Sequence, residues 1–119
     1  MSHPSKVSFL KKAYQSGYRC HLYFVSTESP IINKERVAAR VQKGGHSVDP
    51  VKIEERYYRS LELVAEMIRW TNECYLYDNS GLIIRLFAQI QNGKGLIRID
   101  NKTYPRWFKK YLYAKGFKP

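Results

Sequence analysis

Along the first 81 residues the apolar positions recur at helical steps around one unbroken apolar run, and after that they flank an Asn-Gly pair on both sides. Val7, Leu10, Ala13 and Tyr14 fall about a turn apart between Pro4 and Gly17, which predicts a helix over residues 4–16 with Ser2 or His3 before it and Gly17 as its stop. Residues 18–26 are rich in aromatic and β-branched side chains and nearly all apolar from Leu22 to Val25, the pattern of a strand covered on both faces. Ser29-Pro30 opens a second helix that runs to about Lys43, because the serine oxygen can accept from orphan amides and proline lacks only a donor that has no partner there. Gly44-Gly45 ends it, Asp49-Pro50 opens a third, and Ile53, Tyr57, Leu61, Val64 and Ile68 draw one apolar stripe to about Trp70.

Glu73 to Asp78 reads as a second strand closed by Asn79, Ser80 and Gly81. Two strands separated by mostly helical chain are expected to be parallel, with the helices as their crossover. Residues 82–91 and 96–100 then flank Asn92-Gly93 as an antiparallel hairpin, and residues 105–114 form a short basic helix stopped at Gly116, its aromatic side chains packed on that hairpin. The expected class is α/β in a single unit over 1–119: a parallel pair with a helical crossover in 1–81, and a hairpin and short helix in 82–119.

Composition adds one strong constraint. Twenty-one Lys and Arg against ten Asp and Glu give a net charge of +11, which implies a polyanionic partner: nucleotide, nucleic acid or anionic surface. No apolar run approaches the ~20 residues of a membrane span, and the N-terminal stretch lacks a secretory pattern, so the expected location is the cytoplasm. Cys20 and Cys74 lie in apolar runs without metal-ligand spacing and read as buried free thiols.

Arginine placement narrows the choice of anion. Arg36, Arg40 and Lys43 share a face of the second helix, and Arg56 and Arg59 share a face of the third. Folding the helices back across Gly44-Gly45 would converge them on one polyphosphate; alternatively they are solvated faces partly answered by Glu55–Arg59 and Glu62–Arg69 pairs. His46 in the turn is either an anion donor or a helix cap. Asp78 and Asn79, and Thr27 and Glu28, stand at the carboxyl ends of the strands, where open α/β sheets place ligands, and also where ordinary turn residues stand. Gly93-Lys94 is no phosphate loop, since Ala88 occupies the position of the first glycine and Gly95 that of the hydroxyl residue.

Taken in order, residues 17–26, Ser29-Pro30, Ile32-Asn33, Arg36-Val37, Arg40-Val41, residues 43–46, Val48, Ile53, Arg56-Tyr57, residues 59–61 and Asp78-Asn79-Ser80 resemble the zeta-toxin-like family of predicted ATPases. The resemblance extends over nearly the whole chain, to the stretch Trp107-Phe108-Lys109-Lys110. It implies part of a P-loop kinase fold in which residues 36–60 form a helical lid, Arg40, Arg56 and Arg59 contact phosphates, and Asp78-Asn79-Ser80 lies near the adenine. Zeta toxins phosphorylate the 3′-hydroxyl of UDP-N-acetylglucosamine and are held off by an epsilon antitoxin. ATP and Mg2+ are the cofactors so implied. The Walker A loop, its magnesium-binding hydroxyl and the acidic residue that acts on the substrate hydroxyl have no counterpart in this sequence, so the resemblance is to a C-terminal half, with Met1 matching an internal position of longer relatives. It implies activity only with a complementing N-terminal half. Outside the resemblance stand two other readings, a small basic module binding RNA or DNA phosphates and a structural partner of an intact kinase.

Overall fold

Each of the first three helices starts at a proline and is capped by the residue before it. In the computed structural model, which describes residues 3–119, these are α1 (Pro4–Gln15), α2 (Pro30–Gln42) and α3 (Pro50–Ile68). His3 Nδ1 accepts from the Ser5 amide, Ser29 Oγ from Ile31 and Asp49 Oδ1 from Val51, so each first turn has one of its orphan donors satisfied. Ser2, the other cap considered, and Met1 lie outside the described residues.

The strands are β1 (His21–Ser26), β2 (Glu73–Asp78), β3 (Arg85–Gln91) and β4 (Gly95–Arg98), followed by α4 (Arg106–Tyr111) and a 3-10 turn at Tyr113–Lys115. They form one open mixed sheet in the order β1-β2-β3-β4. β1 and β2 are parallel, from His21 opposite Glu73 to Ser26 opposite Asp78, and α2 and α3 make their crossover. The rest of the sheet is antiparallel. Asn92 and Gly93 both have positive φ, and the Lys94 amide donates to the Gln91 carbonyl at 3.1 Å, which makes the Asn-Gly pair a hairpin turn.

One face of the sheet carries the core. Leu22, Phe24, Cys74, Leu76, Ala88 and Ile90 cluster with Leu61, Val64 and Ile68 of α3 and with Trp107 and Phe108. A register shift between Leu76 and Tyr77 leaves Phe87 as the extra residue of β3, and its ring meets Trp107 and Phe108 edge-on at 5.4 and 5.5 Å.

The other face is bare. β1 was expected to be covered on both sides, yet its burial alternates strictly, and Tyr23 and Val25 are 57% and 46% exposed. The apolar run is continuous because its outward positions are also apolar, not because a second layer lies over them. Several boundaries differ as well: β1 begins at His21 rather than at Tyr18, and β4 runs Gly95–Arg98 rather than over 96–100. β3 begins at Arg85 rather than Leu82, and residues 82–84 are exposed loop, since the chain turns away where Arg36 holds the Asn79 and Gly81 carbonyls. The last helix stops at Tyr111 and tightens into the 3-10 turn before Gly116, whose φ of 100° ends it. Among the described residues no helix is long and apolar enough to cross a membrane.

Leu61 is fully buried in the α3 stripe. Leu61→Ala is expected to lower unfolding stability by roughly 2–5 kcal/mol, while Leu82→Ser stays within about 0.5 kcal/mol, both measured by urea denaturation.

Candidate functional site

The turn joining α2 to α3 is set by two glycines with different tasks. Gly44 takes φ +94° and its amide donates to Val41, while the Gly45 amide donates to the Arg40 carbonyl at 2.7 Å, a Schellman arrangement that closes α2. A Cβ on Gly45 would lie 2.9 Å from the Arg40 carbonyl oxygen, so the chain passes too close to Arg40 for a side chain there. α3 therefore packs back along α2, and Lys34 reaches Glu54 across the pair at 2.9 Å.

Beneath this helical pair runs a cleft of about 580 Å3 along β1, which lies at the sheet edge. Side chains from both faces of β1, Tyr23 and Val25 from one and Phe24 and Ser26 from the other, line it, so the strand edge forms its floor. Arg36, Arg40 and Arg56 stand on the helical wall, with Asn33 and Ser60 beside them.

Arg36 is half-buried and ties the crossover to the sheet: its guanidinium donates to the carbonyls of Asn79 and, at 3.1 Å, of Gly81. Tyr57 makes the matching tie from α3, its hydroxyl donating to the Thr27 carbonyl at 2.7 Å. Thr27 in turn donates to Asn33 Oδ1 at 2.6 Å, joining the loop after β1 to α2. Arg40 and Arg56 are exposed on the cleft wall. Among the described residues no ion pair involves Arg36, Arg40, Lys43, Arg56 or Arg59. The expected Glu55–Arg59 and Glu62–Arg69 pairs are absent; Arg69 pairs with Glu66, one turn away, at 3.3 Å.

Arg36, Arg40, Arg56 and Asn79 are thus brought to one cleft, and Arg59, Lys43 and His46 are not among its lining residues. Arg59 is exposed on α3, Lys43 caps the C-terminus of α2, and His46 lies exposed in the turn. Asp78 points to the packed face, where Oδ1 accepts from Trp107 Nε1 at 3.0 Å and from Ser80 at 2.8 Å. Its carboxylate holds the loop after β2 to the core. Glu28 is likewise engaged, accepting from the Arg106 amide and guanidinium. Neither Asn33 nor Ser60 stood out as a site residue in the sequence, although each lies one turn from a cleft arginine: Asn33 three residues before Arg36, Ser60 four after Arg56.

Chemically the cleft offers three guanidinium groups, the hydroxyls of Tyr23, Ser26, Thr27, Tyr57 and Ser60, and two amides, and none of its lining residues is a carboxylate. That donor set suits phosphate oxygens. It does not suit a divalent cation, and no group of three or more acidic, His or Cys side chains that could hold a metal occurs among the described residues. No family model, curated protein or solved structure matches this chain.

Two buried groups set the alkaline limit of this arrangement. Burial pushes the Tyr57 hydroxyl up to about 12 from 10.0, helped by the neighbouring Tyr58 and Glu28, and burial pushes the Cys74 thiol up to about 12 from 9.0. Both are neutral when protonated, so the unfolded chain releases these protons first as pH rises. Stability they support is fully present below pH 9.0 and is expected to fall progressively up to about pH 12, measured as a declining urea midpoint. Tyr57→Phe should flatten the part of that decline above pH 10.0.

Proposed function

We propose that the cleft under the α2–α3 crossover binds the phosphates of a nucleoside triphosphate, and that the chain serves as the lid-bearing half of a zeta-toxin-like small-molecule kinase. The observation that carries this reading is the meeting of Arg36, Arg40 and Arg56 in one cleft with no carboxylate partner among the described residues. Three guanidinium groups held together repel one another, and a polyphosphate relieves that repulsion while accepting several charge-assisted hydrogen bonds.

In this reading Arg40 and Arg56 bind and orient phosphate oxygens. They also stabilise the charge that spreads over the transferring phosphoryl group. Arg36 acts as a positioning residue, fixing the lid to the loop after β2. Asn33 supplies neutral amide donors on the same wall, while the Ser60 hydroxyl donates to the Tyr57 carbonyl at 2.8 Å. Magnesium brought by ATP would be held by its phosphates, since no lining residue of this cleft is a carboxylate. The phosphate loop and the residue that acts on the substrate hydroxyl come from a complementing half, paired through the open β1 edge. The isolated chain binds phosphate and does not transfer it.

Calorimetric titration with ATP and with inorganic tripolyphosphate at low salt tests this reading. The unaltered chain is expected to bind both, and Arg40→Ala and Arg56→Ala each to weaken binding by roughly 10- to 150-fold, the loss of one charged hydrogen-bonding group. Arg59→Ala, equal in charge change and outside the cleft, should leave affinity nearly unchanged. Equal losses at all three arginines would reduce the cleft to general surface charge.

A further inference from the structure

The bare sheet face carries a second, unassigned feature. Tyr23 on β1 and Tyr75 on β2 are register partners, and their rings stack 5.1 Å apart with planes 12° from parallel. Tyr77 follows Tyr75 on the same face, beside Val25. Tyr75 occupies one face of the Tyr23 ring, so the other is directed toward the cleft that Tyr23 also lines. Around the tyrosines stand His21, Gln89 and Gln91, polar side chains able to hydrogen-bond, with Ile97 beyond them. At one end Arg19 and His21 approach Glu73, and along the β1 edge stand the cleft arginines, which have no carboxylate partner among the described residues.

We propose that this face binds single-stranded nucleic acid, with bases stacked against the Tyr23–Tyr75 pair and the backbone directed along the β1 edge toward Arg36, Arg40 and Arg56. The argument for this occupant is complementarity of charge and of chemistry. The chain's net charge of +11 favours a polyanion and opposes a second copy of itself. A covering protein helix would meet aliphatic surface best. The centre of this face instead presents the stacked tyrosine rings, with the Tyr75 hydroxyl donating to Glu73 at 3.0 Å and the amides of Gln89 and Gln91 beside them, and the rings match the flat π-face of an unpaired base. A duplex keeps its bases stacked on one another and cannot use such a platform. This site overlaps the triphosphate cleft at Tyr23 and at the arginines and is distinguished from it by Tyr75, which is not among the residues lining the cleft.

The test is fluorescence anisotropy with a fluorescein-labelled twelve-residue oligothymidylate lacking a terminal phosphate, beside a duplex of the same length, each titrated with the full chain at several salt concentrations. The single strand is expected to bind more tightly than the duplex, with log affinity falling about 0.7 per log unit of salt for each phosphate engaged. Tyr23→Ala and Tyr75→Ala should each weaken the single strand by roughly 5- to 100-fold, the worth of one stacked base, while Tyr23→Phe retains it. Tyr75→Ala should leave ATP affinity unchanged, which separates this site from the cleft; if Tyr75→Ala unfolds on a thermal melt, the exposed Tyr23 pair of variants decides the matter. Binding insensitive to both tyrosines, equal affinity for duplex, or no binding together with dimerisation of the free chain by light scattering would each overturn the proposal, the last by assigning the face to protein.

Discussion

Everything in this fold rests on the packing of α3 against one side of the parallel strand pair. Its apolar stripe, from Tyr57 through Leu61 and Val64 to Ile68, supplies the buried layer beneath β1 and β2, and its polar side carries Arg56 and Ser60 into the cleft. The same helix is therefore both wall of the core and wall of the site. Burying those four side chains contributes on the order of 1.5–3 kcal/mol each relative to exposure, far more than any surface ion pair in the molecule. The position of the arginines is a by-product of hydrophobic packing, not of their own interactions.

Two tethers then fix how α2 sits above the sheet. Arg36 reaches the loop after β2, and Tyr57 with Thr27 and Asn33 ties the loop after β1 to both crossover helices. Because these acceptors are backbone carbonyls and an amide oxygen, the tethers hold geometry without neutralising the guanidinium charge. The cleft stays electropositive while its wall is held in place.

Much of this was legible in the sequence, and the reasons are specific. Three helix starts were visible as cap-plus-proline pairs, the hairpin as Asn92-Gly93, and the α2–α3 turn as Gly44-Gly45, because each depends on backbone chemistry within a few residues. Helical spacing and that turn left open whether Arg36, Arg40, Lys43, Arg56 and Arg59 converge or are solvated faces, and the fold brings Arg36, Arg40 and Arg56 alone to the cleft. What stayed hidden depends on contacts distant in the chain. Nothing near Asp78 announces that Trp107 will take its carboxylate, and nothing near Leu22 to Val25 distinguishes a run covered on both faces from one whose outward members are simply left bare. Arg59 is three residues from Arg56, yet the cleft takes only Arg56, since the α3 residues that line it are Ile53, Arg56, Tyr57 and Ser60, a stripe that Arg59 lies beside.

β1 leaves one row of backbone donors and acceptors without a neighbouring strand, and Tyr23 and Val25 are exposed on its outward face. What keeps such an edge from recruiting further copies is the repulsion between molecules that each carry +11. That repulsion acts through solvent over about a Debye length, so added salt removes it while leaving strand pairing and apolar contact intact. Colloidal behaviour is thereby coupled to ionic strength in the unfamiliar direction: dilute buffer keeps the chain dispersed, and concentrated salt exposes the adhesive strand.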